Sequence, residues 1–433
     1  MANIHTRSPG LVGLAALALL TAPLAVADDY RAARAELVAA YQANDYDAMV
    51  VAARKALDAR PGYPGALFNL ALAQVLNDEA AASLRVLETL AGMGVDFGAG
   101  EMDEFAALRA LPGWAAYTSR VKALYAPVGQ ASVALQLDDS HFVPEGIAVD
   151  DDGNIYVGSI RKGELRRNAD VLSRRQEHWS VFGMRLDDVG GLWFASAAVA
   201  QMSDVGEDEG KTGLFRLDTE TGEVVHSALL PERDHEQLLG DLVIHDNVIF
   251  STDSLGAAVY RYDIGSDEFT AIVEPGDMGS PQGLVLDEGK EHLYVADYIG
   301  GLHRISLDDG TRVRIALPEF VTDYGIDGLY RHEHELIAIQ NGIRPHRVTA
   351  FRLSDDGLSI VSARTLLSNH VAFDEPTLGV VRGDDFYLVA NSHWNRFDAE
   401  NRLPEGLSGP IILKLRLSSH SGVDRQYQNE YSD

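Results

Sequence analysis

The 433-residue sequence contains no cysteine. Disulfide bonds, thiolate metal ligands and cysteine nucleophiles are therefore excluded, and stability must come from packing or from a bound ion. Basic residues are also scarce, because 36 Lys and Arg stand against 65 Asp and Glu, for a formal net charge of −29. A chain this acidic repels phosphate backbones and anionic lipid surfaces, so we expect no nucleic-acid partner.

Three common catalytic sequence patterns are missing as well. The chain has no Gly-x-Ser-x-Gly nucleophile elbow, no His-Glu-x-x-His metal motif and no glycine-rich phosphate-binding loop. These absences remove the usual sequence signals of serine hydrolases, zinc proteases and nucleotide-binding enzymes.

The N-terminus has the pattern of a secretory signal peptide. Arg7 precedes a small apolar run from Leu11 to Val26, and Ala25-Val26-Ala27 has the small-x-small pattern that signal peptidase cuts. The run is too short and too poor in bulky side chains for a transmembrane helix. We therefore predict a signal peptide at residues 1–27, a periplasmic or secreted mature protein, and no membrane insertion after cleavage.

Residues 28–125 have the composition of helices, with abundant Ala, Leu, Glu and Arg and few β-branched residues. Two similar breaks begin at Asn44 and Asn77, which are 77 − 44 = 33 residues apart, and Pro61-Gly62-Tyr63-Pro64-Gly65 separates two helix pairs. This period resembles that of tetratricopeptide repeats, which have about 34 residues. We predict a tetratricopeptide-like helical domain at 28–125, with a groove suited to a protein or peptide partner.

Residues 130–417 have a different pattern, in which short β-rich segments alternate with Asp/Gly turns. Six units recur, and each has a strand, a turn that is usually acidic and a second strand, mostly followed by two more strands. Six units of about four strands are typical of a β-propeller. The predicted fold is an all-β six-bladed propeller that follows a small all-α helical-repeat domain. A polar tail is expected at 418–433.

The first strand of each blade lines the channel of a propeller, and a glycine near its start relieves the crowding of backbones there. The residue before that glycine points to the channel mouth. In this chain these residues are Glu145, Phe182, Gln282 and Asp327, and Asp241 holds the like position in a unit without the glycine.

Several of these segments resemble one known family. Pro144-Glu145-Gly146, Pro281-Gln282-Gly283, Ile326-Asp327-Gly328 and Leu293-Tyr294-Val295-Ala296-Asp297 are similar to segments of the senescence marker protein/gluconolactonase family. Paraoxonase and strictosidine synthase are similar relatives of that family. The resemblance covers about residues 141–417.

The resemblance implies a function as well as a fold. Members hold one divalent cation, usually calcium, at the channel centre, and here its ligands would be Glu145, Asp241, Gln282 and Asp327. In the family the cation polarises a lactone or ester carbonyl, and an acid at the position of Asp327 is a proposed base. His393 follows an inner strand, and we include it as a second catalytic candidate because a general base is needed at the channel rim.

Two departures from the family pattern leave an alternative open. Gln282 stands where the family has Asn, and Gly240-Asp241 stands where the family has Asn-Asp, so one amide is missing. Glu375 is a candidate replacement, although it is out of register. The first hypothesis is thus an exported metal-dependent hydrolase of a small-molecule lactone or ester. The second is a non-catalytic scaffold in which helical repeats and a propeller bind a ligand or a protein.

Overall fold

The computed structural model describes residues 26–175 and 178–417. The predicted signal peptide lies almost entirely outside these residues, and the predicted tail at 418–433 lies wholly outside them. No helix within the described residues combines the length and the apolar character needed to cross a bilayer.

The N-terminal region is helical, as predicted. Its elements are α1 (Val26–Ala43), α2 (Tyr46–Ala59), α3 (Pro64–Leu76), α4 (Ala80–Gly92), two 3₁₀ segments (Ala99–Glu101 and Asp103–Ala110) and α5 (Trp114–Leu124). Asp45 begins α2 by accepting a hydrogen bond from the backbone N–H of Ala48 at 3.0 Å. Pro64 occupies the first turn of α3, where its missing N–H costs nothing. Helix α3 is buried over almost its whole length, because α2, α4 and a 3₁₀ segment pack around it.

The rest of the described chain forms six four-stranded antiparallel sheets arranged as a propeller, which confirms the predicted fold class. Blades one to five each contain four consecutive strands. The strands are β1 (Ser132–Gln136), β2 (Pro144–Val149), β3 (Ile155–Ser159), β4 (Leu165–Arg167), β5 (Asp170–Ser173), β6 (Ser180–Leu186), β7 (Gly191–Ala197), β8 (Thr212–Asp218), β9 (Val224–Leu229), β10 (Leu239–His245), β11 (Val248–Asp253), β12 (Ala258–Asp263), β13 (Glu268–Val273), β14 (Pro281–Leu286), β15 (His292–Asp297), β16 (Gly301–Ser306), β17 (Arg312–Arg314), β18 (Ile326–His332), β19 (Glu335–Gln340), β20 (Arg347–Leu353), β21 (Ile360–Ser368), β22 (Gly379–Arg382), β23 (Asp385–Val389) and β24 (Ile411–Arg416).

Blade six is built from both ends of the propeller sequence. Its strand order is β1-β24-β23-β22, so the first strand after the helices forms the outer edge of the last blade. Within this pair Val133 lies opposite Leu413, and Leu413 is fully buried. The ring is therefore closed by backbone hydrogen bonds between the first and the last strand.

Glycines near the starts of the inner strands allow neighbouring blades to approach closely. A Cβ atom at Gly146 would overlap the carbonyl oxygen of Phe182, and one at Gly283 would overlap the backbone N–H of Leu329. These contacts are the crowding that the sequence pattern predicts at the channel.

The helical region docks on the loops of blade five, which comprises β18 to β21. Tyr324 donates a hydrogen bond to the carbonyl of Pro61 at 3.2 Å, and its ring lies 5.0 Å from that of Tyr63. At the other end of the contact, Asn369 donates to the carbonyl of Leu124 at 2.8 Å. The helices and the propeller are thus joined by polar contacts on both sides of this blade.

Candidate metal centre in the channel

Four of the predicted site residues lie on inner strands, where the local structure aims them at the channel. Glu145, Asp241, Gln282 and Asp327 lie on β2, β10, β14 and β18, within the first three residues of each strand. In each case the pairing with the next strand shifts register at that point. Such bulges re-aim side chains, so four strands can direct polar groups toward one axis.

Glu145 is almost completely buried, with 7% of its surface exposed. Its Oε2 accepts a hydrogen bond from the indole nitrogen of Trp394 at 2.7 Å. Burial, and then the nearby carboxyl of Asp327, raise the pKa of Glu145 well above its usual range. Two acids from different blades are therefore close enough to repel each other when both are ionised.

Asp327 is held by one amide. Its Oδ2 accepts a hydrogen bond from Asn341 Nδ2 at 2.6 Å. Burial raises the pKa of Asp327 to about 7, and the hydrogen bond from Asn341 acts in the opposite direction. The amide oxygen of Asn341 is buried and has no hydrogen-bond donor. A buried oxygen without a hydrogen-bond partner therefore lies beside the carboxyl of Asp327.

Asp241 differs from the other two acids because a cation offsets its charge. Arg185 approaches its carboxyl at 3.2 Å, and the backbone N–H of Leu242 donates to it at 2.9 Å. Burial raises the pKa of Asp241, while Arg185 opposes the change. The structure thus brings Asp241 to the channel but pairs it with arginine, which weakens its case as a cation ligand.

Gln282 has a divided role. Its side-chain nitrogen donates to the hydroxyl of Ser280 at 3.1 Å, while its backbone carbonyl accepts from the hydroxyl of Thr252 at 2.7 Å. Because the amide nitrogen is committed to Ser280, the amide oxygen is the atom that can contribute to cation binding.

Glu375 belongs to the same group although it is out of register in the sequence. Its carboxyl contributes to the raised pKa values of both Glu145 and Asp327. One of its oxygens accepts a hydrogen bond from the backbone N–H of Asn395 at 2.6 Å. The loop before β22 therefore adds a fourth acid, which is half-buried, close to Glu145 and Asp327.

His393 contacts residues of two loops, its own between β23 and β24 and the one between β21 and β22. Its Nδ1 lies 3.2 Å from the carboxyl of Asp374, and its Nε2 lies 3.0 Å from the carbonyl of Ser408. The side chain is 2% exposed. Both ring nitrogens are thus engaged with loop residues, and a catalytic role for His393 stays a prediction.

Sequence analysis missed Asn341, Trp394 and Arg185. Asn341 directly follows β19, the second strand of its blade, whereas the predicted channel residues all lie on first strands. Trp394 lies in the loop between β23 and β24 and reaches Glu145 over 249 residues of sequence. Only the position of Asn341 at a strand end offered a signal.

The side-chain oxygens gathered here suit a hard cation only if amide oxygens are counted together with the carboxylates. Within the described part of the chain, no three Asp, Glu or His side chains are placed to hold a metal ion together. Oxygen ligands remain available if amides are included, and calcium accepts carboxylates and amide carbonyls alike. The buried, donorless oxygen of Asn341 supports this mixed set.

Three solved structures that resemble this chain in part have different descriptions. A putative oxidoreductase (glucose dehydrogenase) from Thermus thermophilus is 14% identical, with a TM-score of 0.43, covering 66% of this chain and 99% of that chain. Regucalcin from Agrobacterium tumefaciens, a calcium-binding protein, is 17% identical, with a TM-score of 0.45, covering 65% of this chain and 93% of that one. The extracellular domain of a putative one-component system from B. thetaiotaomicron is 12% identical, with a TM-score of 0.41, covering 60% of this chain and 32% of that one.

No protein-family model matches the chain, and no curated protein matches it. The family resemblance stated above is therefore not established by these comparisons. The six-bladed architecture rests on the sheets of the chain itself.

Proposed function

We propose that the channel binds one divalent cation, with calcium as the expected ion, and that the protein is an exported hydrolase of a lactone or ester. The observation that carries this proposal is the group formed by Glu145, Asp327 and Asn341. Burial and the nearby Asp327 raise the pKa of Glu145, and burial and the nearby Glu375 raise the pKa of Asp327. A buried amide oxygen of Asn341, beside Asp327, lacks a donor. A cation would relieve the repulsion between the acids and would be coordinated by the otherwise unpaired amide oxygen.

Different residues would have different roles in such a site. Glu145 and Asp327 would hold the ion, with the amide oxygens of Asn341 and Gln282 as neutral ligands. A bound divalent cation supplies Lewis acidity toward a carbonyl oxygen. Trp394 fixes the rotamer of Glu145 through its indole N–H, just as Asn341 fixes that of Asp327.

Proton transfer is the second requirement of ester hydrolysis. A general base works best when its pKa lies near the operating pH. Burial raises the pKa of Asp327 to about 7 in the cation-free protein. A bound cation would lower that pKa, because its positive charge favours the ionised carboxyl, so Asp327 would be present as a carboxylate that can accept a proton. Glu375, whose pKa burial also raises, is a second carboxyl close to the same point. We assign the proton-accepting role to the Asp327 carboxylate.

Calcium titration calorimetry on the chelator-stripped mature chain (residues 28–433) tests the binding step. We expect one ion per chain, and affinity at least about tenfold weaker in Asp327→Asn, which removes the charge and keeps the shape. Asp188→Asn, in an exposed turn, is the matched control and should bind as the wild type does. Absence of binding by the wild-type protein would overturn the proposed site.

Turnover is tested separately with a panel of neutral lactones and esters in a pH-stat. We expect hydrolysis that needs calcium and is lost in Asp327→Asn while Asp188→Asn retains it. Calcium binding without turnover of any substrate would contradict the hydrolase and leave a binding protein.

The pairing of Asp241 with Arg185 favours one second candidate function, a non-catalytic scaffold. This ion pair withdraws an acid from the expected ligand set. The helical region, as a tetratricopeptide-like pair of hairpins, would then hold a protein or peptide partner. Calcium should raise the melting temperature of the hydrolase, because a ligand bound only by the native state stabilises it. A scaffold with no cation would show no such increase.

A further inference from the structure

The contact between the helices and blade five is centred on one buried arginine. Arg347 is 9% exposed. Its Nη1 donates to the carbonyl of Gly94 at 3.0 Å and lies 3.3 Å from that of Met93. These carbonyls follow the end of α4, where the partial negative charge of a helix favours a cation. The guanidinium therefore holds the helical region through strongly directed hydrogen bonds.

The other edge of the same guanidinium reaches into the propeller. Arg347 Nε donates to the side-chain oxygen of Gln340 at 3.0 Å, and the hydroxyl of Thr349 donates to that oxygen at 2.8 Å. The side-chain nitrogen of Gln340 donates to the carbonyls of Thr322 and Tyr324 at 3.0 and 3.1 Å. Gln340 is completely buried, and this network engages both the oxygen and the nitrogen of its side-chain amide.

Gln340 is the last residue of β19, and Asn341 follows it directly. Asn341 is the residue whose amide holds the carboxylate of Asp327. The next residue, Gly342, donates its backbone N–H to the carbonyl of Gly325, and a Cβ there would come within 2.6 Å of the hydroxyl of Tyr298. The chain around Asn341 thus has little freedom once Gln340 is fixed.

We propose that Arg347 is a positioning residue, through which the helical region fixes Gln340 and Asn341 and so orients the carboxylate of Asp327 for the cation. This inference rests on the proposed channel site. Under it, the helical region is a structural part of the metal centre, although none of its residues supplies a ligand.

Calcium affinity gives the first test, with Arg347→Met removing the hydrogen bonds while keeping much of the bulk. Partners of metal ligands typically affect affinity by about 10- to 100-fold, and we expect a loss of at least about tenfold. The matched control is Asn369→Ala, which breaks a different polar contact of the helices with blade five. It should change calcium affinity less than about twofold. Arg347→Lys, which keeps the charge, should fall between wild type and Arg347→Met.

A second measurement needs no metal. In protein labelled with ¹⁵N-asparagine, the side-chain amide of Asn341 is assigned by its loss in Asn341→Ser. One of its protons is hydrogen bonded to Asp327, so this proton should exchange slowly with water in the wild type and several-fold faster in Arg347→Met. The Asn369→Ala variant should retain slow exchange. If Arg347→Met does not fold, Arg347→Lys is expected to change the exchange rate in the same direction.

The two measurements separate the possible failures. Faster exchange of the Asn341 amide in a protein that binds no calcium would support the positioning role and overturn the proposed function. Unchanged exchange and unchanged calcium affinity in the Arg347 variants would overturn the positioning role. Equal losses in Arg347→Met and Asn369→Ala would also overturn it, because general loosening of the interface would then be the cause.

Discussion

At the scale of single residues, the buried acids of the channel differ mainly in their neighbours. Asp241 has a guanidinium, Asp327 has an amide and Glu145 has an indole. Only the arginine carries a charge that compensates the acid. An indole or amide donor directs a carboxylate without neutralising it, so Glu145 and Asp327 keep their capacity to bind a cation.

Trp394→Phe isolates the directing effect of the indole on Glu145. Phenylalanine can retain the ring packing against Phe182, whose centroid lies 6.3 Å from that of Trp394, but it cannot donate. We expect calcium affinity to fall about tenfold in calorimetry, as for other residues that orient a metal ligand. Trp114→Phe, in α5, is the control and should bind normally. Unaltered affinity in Trp394→Phe would show that Glu145 needs no such support.

His178 gives the protein a pH-dependent stability away from the channel. It is fully buried, its Nε2 lies 2.9 Å from the carbonyl of Gly163, and burial lowers the pKa of His178 to about 4. The unfolded chain, with a histidine pKa of about 6.5, binds a proton between these values that the native state does not. The free energy of unfolding should therefore fall as the pH decreases from about 6.5 to about 4, by about 3 kcal/mol.

Urea unfolding at several pH values, using His178→Phe, measures this effect. The variant should lose the part of the pH dependence due to this histidine, at the cost of about 1 kcal/mol for the hydrogen bond to Gly163. The exposed His141→Gln serves as control and should unfold as the wild type does across the series. A slope equal in wild type and His178→Phe would refute the assignment.

At the scale of strands, bulges and glycines together place the site. Each inner strand that carries a channel acid or amide changes register beside it. Gly146 and Gly283 let the adjoining blades come close enough for side chains from several blades to meet. A strand that moved outward would carry its channel residue with it.

Gly283→Ala tests this arrangement, because its added methyl group would meet the backbone of Leu329 and the carbonyl of Asp327. Overpacking of this kind costs about 1–3 kcal/mol. Since the strand that must shift carries Asp327, calcium affinity should fall together with stability. Gly100→Ala, an exposed position with no atom within 4 Å, is the control for both measurements. Wild-type stability in Gly283→Ala would mean that the blades are not tightly packed there.

The strand pattern also explains which parts of the fold and of the site could be predicted from the sequence. Alternation and turn residues predicted all six blades, because each strand repeats a local signal. The positions before the glycines predicted Glu145, Gln282 and Asp327 as channel residues. Asn341 meets Asp327 within one hairpin of the same blade, and its only signal was its position at a strand end. Arg185 and Trp394 carry no local signal for their partners, since they meet them across blades or from a long loop. The ion pair at Asp241 was unpredictable for the same reason.

At the scale of the whole molecule, the pairing of β1 with β24 makes the propeller a closed ring. A chain that ends at Pro410 lacks β24, which separates β1 from β23 in blade six. We expect this chain to lose cooperative thermal unfolding by circular dichroism and to expose unpaired strand edges. A chain that ends at Leu417 retains β24 and should unfold in one transition. Cooperative unfolding of the shorter chain would show that five blades are stable alone.

The pairing of β1 with β24 also determines when the propeller can close during synthesis. Gln136 and its partner Ile411 are 411 − 136 = 275 residues apart, so β1 is among the first strands synthesised and β24 is the last. Contacts so distant in sequence form slowly, and unpaired edges invite association with other chains until they form. A prematurely terminated copy therefore never encloses a channel. Its open edges favour aggregation or proteolysis, so that only chains translated through β24 can close the ring.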